Sequence, residues 1–162
     1  MATFLPKLHR AFIEHLAPDE RADPLPAYWR HILNPDSRIH AKAAWIWHDI
    51  ERALSNIEIA SEELPIHDPD GPLPSTPFME AHYFAKNCFL HEDQILTDMP
   101  RIAHIPAVLV QGRYDLLCPP STSARLAAQW PAARLVMAEM AGHSMAHTSV
   151  FNALKEAITD LA

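Results

Sequence analysis

Two residues in this chain have the types and placement of an acid–base pair. Asp115 comes after the apolar run Ile105-Pro106-Ala107-Val108-Leu109-Val110, across the turn Gln111-Gly112-Arg113-Tyr114. His143 comes after a second run, Arg134-Leu135-Val136-Met137, within Gly142-His143-Ser144. Between them, Pro119-Pro120 and a Ser/Thr cluster open a helical pattern. Strand, acid, helix, strand, histidine is a βαβ unit that brings a carboxylate and an imidazole to successive strand ends. Acid before base is the chain order of the last two members of one form of the Ser…Asp…His triad. There the carboxylate fixes the tautomer of the imidazole, and the imidazole takes the proton of the nucleophile. Two of only 3 glycines, Gly112 and Gly142, sit beside these residues. Glycine permits φ > 0 and close backbone approach, both useful where strand ends turn toward a site. Plainer roles stay open to each residue: Asp115 as the cap of a turn, His143 as an ordinary loop histidine, and each glycine as a common strand exit.

The elements that would position this pair follow from periodicity. Phe4, Leu5, Leu8, Phe12 and Leu16 predict an amphipathic helix over residues 4–16. A short helix is expected over Ala27–Leu33, stopped at Asn34-Pro35. Asp36 or Ser37 then caps a longer helix to about Ser55, with Ile39, Ala43, Ile46, Trp47, Ile50 and Leu54 along one side. Residues 57–75 are acidic and rich in proline and read as an excursion without regular structure. Ser75 or Thr76 caps a helix to about Asn87, and a helical turn is expected over Asp93–Asp98. The last helix, Thr148–Leu161, carries Phe151, Leu154, Ile158 and Leu161 at helical spacing and should pack on the sheet. The fold class is therefore α/β: residues 1–100 nearly all helical, residues 101–162 a βαβα unit.

Composition narrows the function. At 162 residues and 49% hydrophobic content the chain is long enough for a real core. Its formal net charge of −7 argues against a nucleic-acid surface or an anionic membrane surface. No apolar run approaches the roughly 20 residues of a membrane span. The segment Met1–Pro6 lacks the charged lead and apolar core of a signal peptide. With two cysteines, Cys88 and Cys118, and no C-x-x-C pair, reduced thiols in a cytoplasmic protein are expected. No cofactor and no metal are expected.

Three segments together, Glu80-Ala81-His82-Tyr83-Phe84, Gly112-Arg113-Tyr114-Asp115 and Gly142-His143-Ser144, resemble the C-terminal half of a proline iminopeptidase, or prolyl aminopeptidase. The Trp-bearing helix around Trp47 fits as well. The resemblance implies a partial α/β-hydrolase fold with a mostly helical cap domain over 1–100 and the last strands and helices of the hydrolase domain over 101–162. It implies a serine hydrolase that releases N-terminal proline from peptides. Asp115 would be the triad acid and His143 the general base. Glu80 would receive the cationic amine of the N-terminal proline through a charge-assisted hydrogen bond. The family places a second glutamate directly after a Trp on the cap helix; here that position is His48, after Trp47, which brings no negative charge. Asp49 and Glu51 are possible substitutes, expected on other faces of the helix. Without the resemblance, Glu80 reads as a solvated helix residue, and Trp45 and Trp47 as packing.

The nucleophile has no counterpart. A nucleophile elbow needs G-x-S-x-G or a close variant, and Gly71, Gly112 and Gly142 include no pair four apart. No H-G-G-type segment is present to build an oxyanion hole. The expectation is a fragment, inactive alone, that would pair with an N-terminal half carrying the serine, because a two-stranded parallel sheet leaves an unpaired edge. Two rivals remain. One is a non-catalytic remnant that binds a peptide or partner. The other is a metal-dependent hydrolase using His143 and His147 with Glu139, although a zincin sets its Glu directly after the first His.

Overall fold

The computed structural model describes residues 1–58, 64 and 71–161. Most of the acidic, proline-rich excursion therefore lies outside the described residues. The described chain forms two compact units, one of residues 1–53, 64 and 71–90, the other of residues 54–58 and 91–161.

The first unit is helical. Its elements are α1 (Pro6–Glu14), α2 (Pro24–Ile32), α3 (Ser37–Ser55, whose last two residues go with the second unit) and α4 (Thr76–Phe84), followed by a 3₁₀ turn at Asn87–Phe89. Helices α1, α2 and α4 each carry proline in the first turn, where its missing N–H costs nothing. The Asp36 carboxylate caps α3, accepting the backbone N–H of Arg38 at 2.9 Å. Leu8 and Phe12 of α1, Tyr28 and Ile32 of α2, Ala43, Ala44 and Ile50 of α3 and Ala81 of α4 form the core. Phe12 and Tyr28 stack with ring centroids 4.3 Å apart, and Trp29 meets Trp47 edge-on at 4.6 Å. The Tyr28 hydroxyl, fully buried, donates to the Phe12 carbonyl at 2.8 Å. Burial pushes its pKa well above the usual phenolic range. The expected apolar side of α3 is met at Ala43, Ile50 and Leu54, whereas Ile39 is exposed.

The second unit is the βαβα part. After a short helix α5 (Gln94–Thr97) and a 3₁₀ turn at Met99–Arg101 come β1 (Ala107–Gly112), α6 (Pro120–Ala128), β2 (Ala133–Ala138) and α7 (Thr148–Leu161). The strands pair in parallel, from Ala107 opposite Ala133 to Gly112 opposite Ala138. Among the described residues this sheet has two strands. Helix α7 has the expected bounds but a different buried stripe. Val150 packs with Ala138 and Ala141, joined by Val110 and Leu154, and Ala157 is buried too. Phe151, Ile158 and Leu161, expected on the sheet, are exposed. No helix among the described residues is long and apolar enough to cross a membrane.

Candidate functional site

The two strand ends of the second unit are joined by backbone. Past β1, the N–H of Arg113 donates to the Ala138 carbonyl at 3.0 Å and that of Tyr114 to the Ala141 carbonyl at 2.8 Å. Gly112 makes this approach possible. A Cβ there would run into the carbonyl oxygen of Gly142 and stand 2.9 Å from that of Ala141. A Cβ on Gly142 would stand 2.7 Å from the carbonyl oxygen of Ser55. Neither glycine has a positive φ, so close approach is the reason for both. Outside, the guanidinium of Arg113 pairs with the Glu139 carboxylate and ties the same two loops.

This seam brings Asp115 and His143 together at the C-terminal edge of the parallel strands, the usual place for sites in such sheets. His143 Nδ1 lies 3.0 Å from Asp115 Oδ2. A carboxylate oxygen accepts, so Nδ1 is the ring nitrogen that donates here, and in the neutral imidazole Nε2 then keeps a lone pair. The Asp115 side chain is 6% exposed and the His143 side chain 44%, so the carboxylate is sheltered and the imidazole open to solvent. The other carboxylate oxygen, Oδ1, accepts the backbone N–H groups of Leu117 at 2.9 Å and Cys118 at 2.8 Å. Asp115 is thus a turn cap and a histidine partner at once; the two readings do not compete.

Gln111 supports the acid, and its role could not be assigned from sequence. It is buried at the end of an apolar strand. Its Nε2 donates to the Cys118 carbonyl at 3.1 Å and to Asp115 Oδ2 at 3.3 Å, while its Oε1 accepts from the Ser123 hydroxyl. An amide closing a run of Val and Leu was the available signal. On the far side, the Ser144 N–H donates to the Ser55 carbonyl at 3.1 Å, and His147 Nε2 lies 3.4 Å from that oxygen. His147 is thereby turned to backbone and Glu139 to Arg113. The donor set that gathers around His143 among the described residues is Asp115 and Cys118, without His147 or Glu139. The zincin-like arrangement is not formed. Among the described residues, no serine hydroxyl is hydrogen-bonded to His143.

Glu80 and His48 belong to the first unit. Glu80, half-buried on α4, accepts the indole N–H of Trp47 at 2.8 Å. The carboxyl beside it is that of Glu51, which hydrogen-bonds to both Glu80 and Trp47. Burial first, then the hydrogen bond and charge of Glu80, push the Glu51 carboxyl up to about 8. The expectation that Glu51 lies on another face is therefore corrected. Trp47 and Glu51 are four residues apart, hence on one face of α3. His48 meets the ring of Trp45 edge-on, centroids 5.7 Å apart. Asp49 is buried.

Comparison with known proteins agrees with this architecture. The family of α/β-hydrolases described as TAP-like protein matches residues 89–161. The chain is 34% identical over 147 residues to the Leptolyngbya boryana protein named "Probable proline iminopeptidase", covering 90% of this chain and 46% of that one. It is 33% identical over 152 residues to the proline iminopeptidase of Xanthomonas citri, 93% of this chain and 49% of the relative. With that of Neisseria gonorrhoeae the identity is 31% over 157 residues, 96% and 49% of the two chains. The class so defined is a partial α/β-hydrolase fold with a mostly helical cap. Within it, this chain resembles the C-terminal portion of the proline iminopeptidases. It spans about half the length of the relatives it matches.

Proposed function

We propose that this chain supplies the acid, the base and the amine receptor of a serine aminopeptidase that releases N-terminal proline from peptides, with the serine and oxyanion donors supplied by an N-terminal half. The observation that carries the reading is the 3.0 Å contact between His143 Nδ1 and a buried Asp115 carboxylate at the strand ends. In that role His143 Nε2 takes the proton from the serine hydroxyl as it attacks the scissile carbonyl, then returns it to the leaving amine. Asp115 holds the ring and stabilises the imidazolium. Glu80, set by Trp47, receives the secondary ammonium of the substrate, and Glu51 stands in for the second carboxyl that His48 does not provide. In this reading residues 1–100 are the cap domain and 101–162 the end of the hydrolase domain.

The test is co-production of the 162-residue chain with a serine-bearing N-terminal half of a proline iminopeptidase, assayed on a proline arylamide. Activity above either half, lost in His143→Ala and in the serine variant of the other half, is the expected result. No gain over the separate halves overturns it. Binding of peptides that requires a free N-terminal proline, with no turnover in any pairing, would identify the non-catalytic remnant instead.

A further inference from the structure

The hydrogen bond between Asp115 and His143 accounts for two members of a group of three. Cys118 is the third: its Sγ, a carboxylate oxygen of Asp115 and a ring nitrogen of His143 all lie within 4.8 Å of one another. We propose that Asp115, Cys118 and His143 form a binding site for a thiophilic divalent ion of the zinc type, and that the bound ion switches off His143 as a base.

Three features build the site. The loop carrying Cys118 is fixed, because its N–H donates to Asp115 Oδ1 at 2.8 Å and its carbonyl accepts Gln111 Nε2 at 3.1 Å. Asp115 forms a buried floor, whereas Cys118 and His143 are exposed, so an ion can enter with its waters. The donor types are also selective. Thiolate and imidazole with one carboxylate suit zinc, cobalt(II) and cadmium, not magnesium or calcium, which take all-oxygen sets. Tetrahedral zinc bonds of about 2.0–2.3 Å separate neighbouring donors by about 3.3–3.6 Å. Side-chain rotations therefore need to draw this group together by up to about 1.5 Å. Three protein donors leave a fourth position for water.

The consequence for His143 does not depend on which nitrogen binds. Coordination through Nδ1 replaces the proton shared with Asp115 and breaks that bond. Coordination through Nε2 occupies the lone pair that a general base needs. In either case binding releases the Cys118 thiol proton to solvent, while the imidazole stays neutral: coordination through Nδ1 moves its proton to Nε2, which is then no longer able to accept one.

Cobalt(II) titration of the purified chain, with a non-thiol reductant present, tests the site without any assay of turnover. The expected result is a thiolate-to-cobalt charge-transfer band that saturates at one equivalent and is abolished by zinc. Cys118→Ser should remove the band, Cys88→Ser should leave it, and His143→Ala should weaken binding at least tenfold. No saturable band, a band that survives Cys118→Ser or vanishes in Cys88→Ser, or unchanged affinity in His143→Ala would each overturn the proposal. The inhibitory effect rests on the proposed aminopeptidase reading. In a complemented enzyme, zinc should inhibit the parent and spare Cys118→Ser, and equal inhibition of both would sink the switch. Failure of cobalt to bind would leave the hydrolase reading untouched.

Discussion

Gly112, at the end of β1, lies so close to the carbonyl of Gly142, past the end of β2, that no side chain fits between them. This contact lets the N–H of Tyr114 reach the Ala141 carbonyl, and so sets Asp115 one residue later against His143 two residues later. Gly112→Ala should therefore act on both the fold and the pair. Overpacking a rigid backbone contact costs about 1–3 kcal/mol or more, and the obstacle here is backbone, which cannot rotate away. The expected outcome in urea unfolding is a loss at the upper end of that range. The Nδ1–H resonance of His143 should also be lost or displaced. A variant as stable as the parent, with that resonance unmoved, would show that the strand ends can part without consequence.

Asp115→Asn keeps the shape and removes the charge. The amide can still accept from Leu117 and Cys118 through its oxygen, but its NH₂ then faces the His143 ring and Gln111 Nε2, which are donors. The imidazole should shift toward the tautomer with the proton on Nε2, which is the wrong one for a base. Nitrogen chemical shifts of His143 report this directly. In a complemented enzyme the rate should fall by about 10³–10⁴-fold with a smaller change in KM. Retention of the Nδ1–H form would mean that Asp115 does not set the tautomer.

That Asp115 and His143 come to neighbouring strand ends was legible in the sequence because the cues are local: an apolar run, a glycine and a polar residue, twice. The bounds of α7 were legible for a similar reason, since Thr148 and the periodicity lie in one stretch. Which face of α7 is buried was not. Phe151 and Ile158 are more apolar than Ala157, yet they are exposed while Val150 and Leu154 pack beside the strand residues Val110 and Ala138 and Ala157 is buried, because strand position rather than residue size decides what a helix can reach. The contacts of Gln111 with Asp115 and the Cys118 carbonyl were not legible, because they depend on a loop folding back on a strand end. Glu51 stands beside Trp47 rather than on another face because on a helix the residue four along, not the chain neighbour His48, lies next to it.

The hydroxyl of Tyr28 offers a measure of the first unit by itself. It is fully buried and donates to the Phe12 carbonyl at 2.8 Å, while the ring stacks on Phe12. Tyr28→Phe keeps the stack and leaves that carbonyl without its side-chain donor. The expected loss is about 1 kcal/mol, within the range for a neutral hydrogen bond in a protein interior. Tyr28→Ala also removes the ring, and should cost about 3–5 kcal/mol. Chemical denaturation followed by Trp fluorescence separates the two. Equal losses would mean that the ring contributes nothing beyond its hydroxyl.

The carboxyl pair of the first unit should make stability depend on pH in a direction opposite to ordinary acid unfolding. Burial and the neighbouring Glu80 raise the Glu51 carboxyl to about 8, from 4.5 when unfolded. Below the unfolded value both states hold the proton, and its contribution is fully present. Between about 4.5 and 8 the folded protein keeps a proton that the unfolded chain has lost, so stability declines as pH rises through that window. Glu51→Gln mimics the protonated form and removes the titration. Its unfolding free energy, measured from pH 5 to 8.5, should lack the decline seen in the parent and should exceed the parent's at the alkaline end. A parent and variant with parallel pH profiles would show that Glu51 titrates as an ordinary carboxylate, and that Glu80 faces it without sharing a proton.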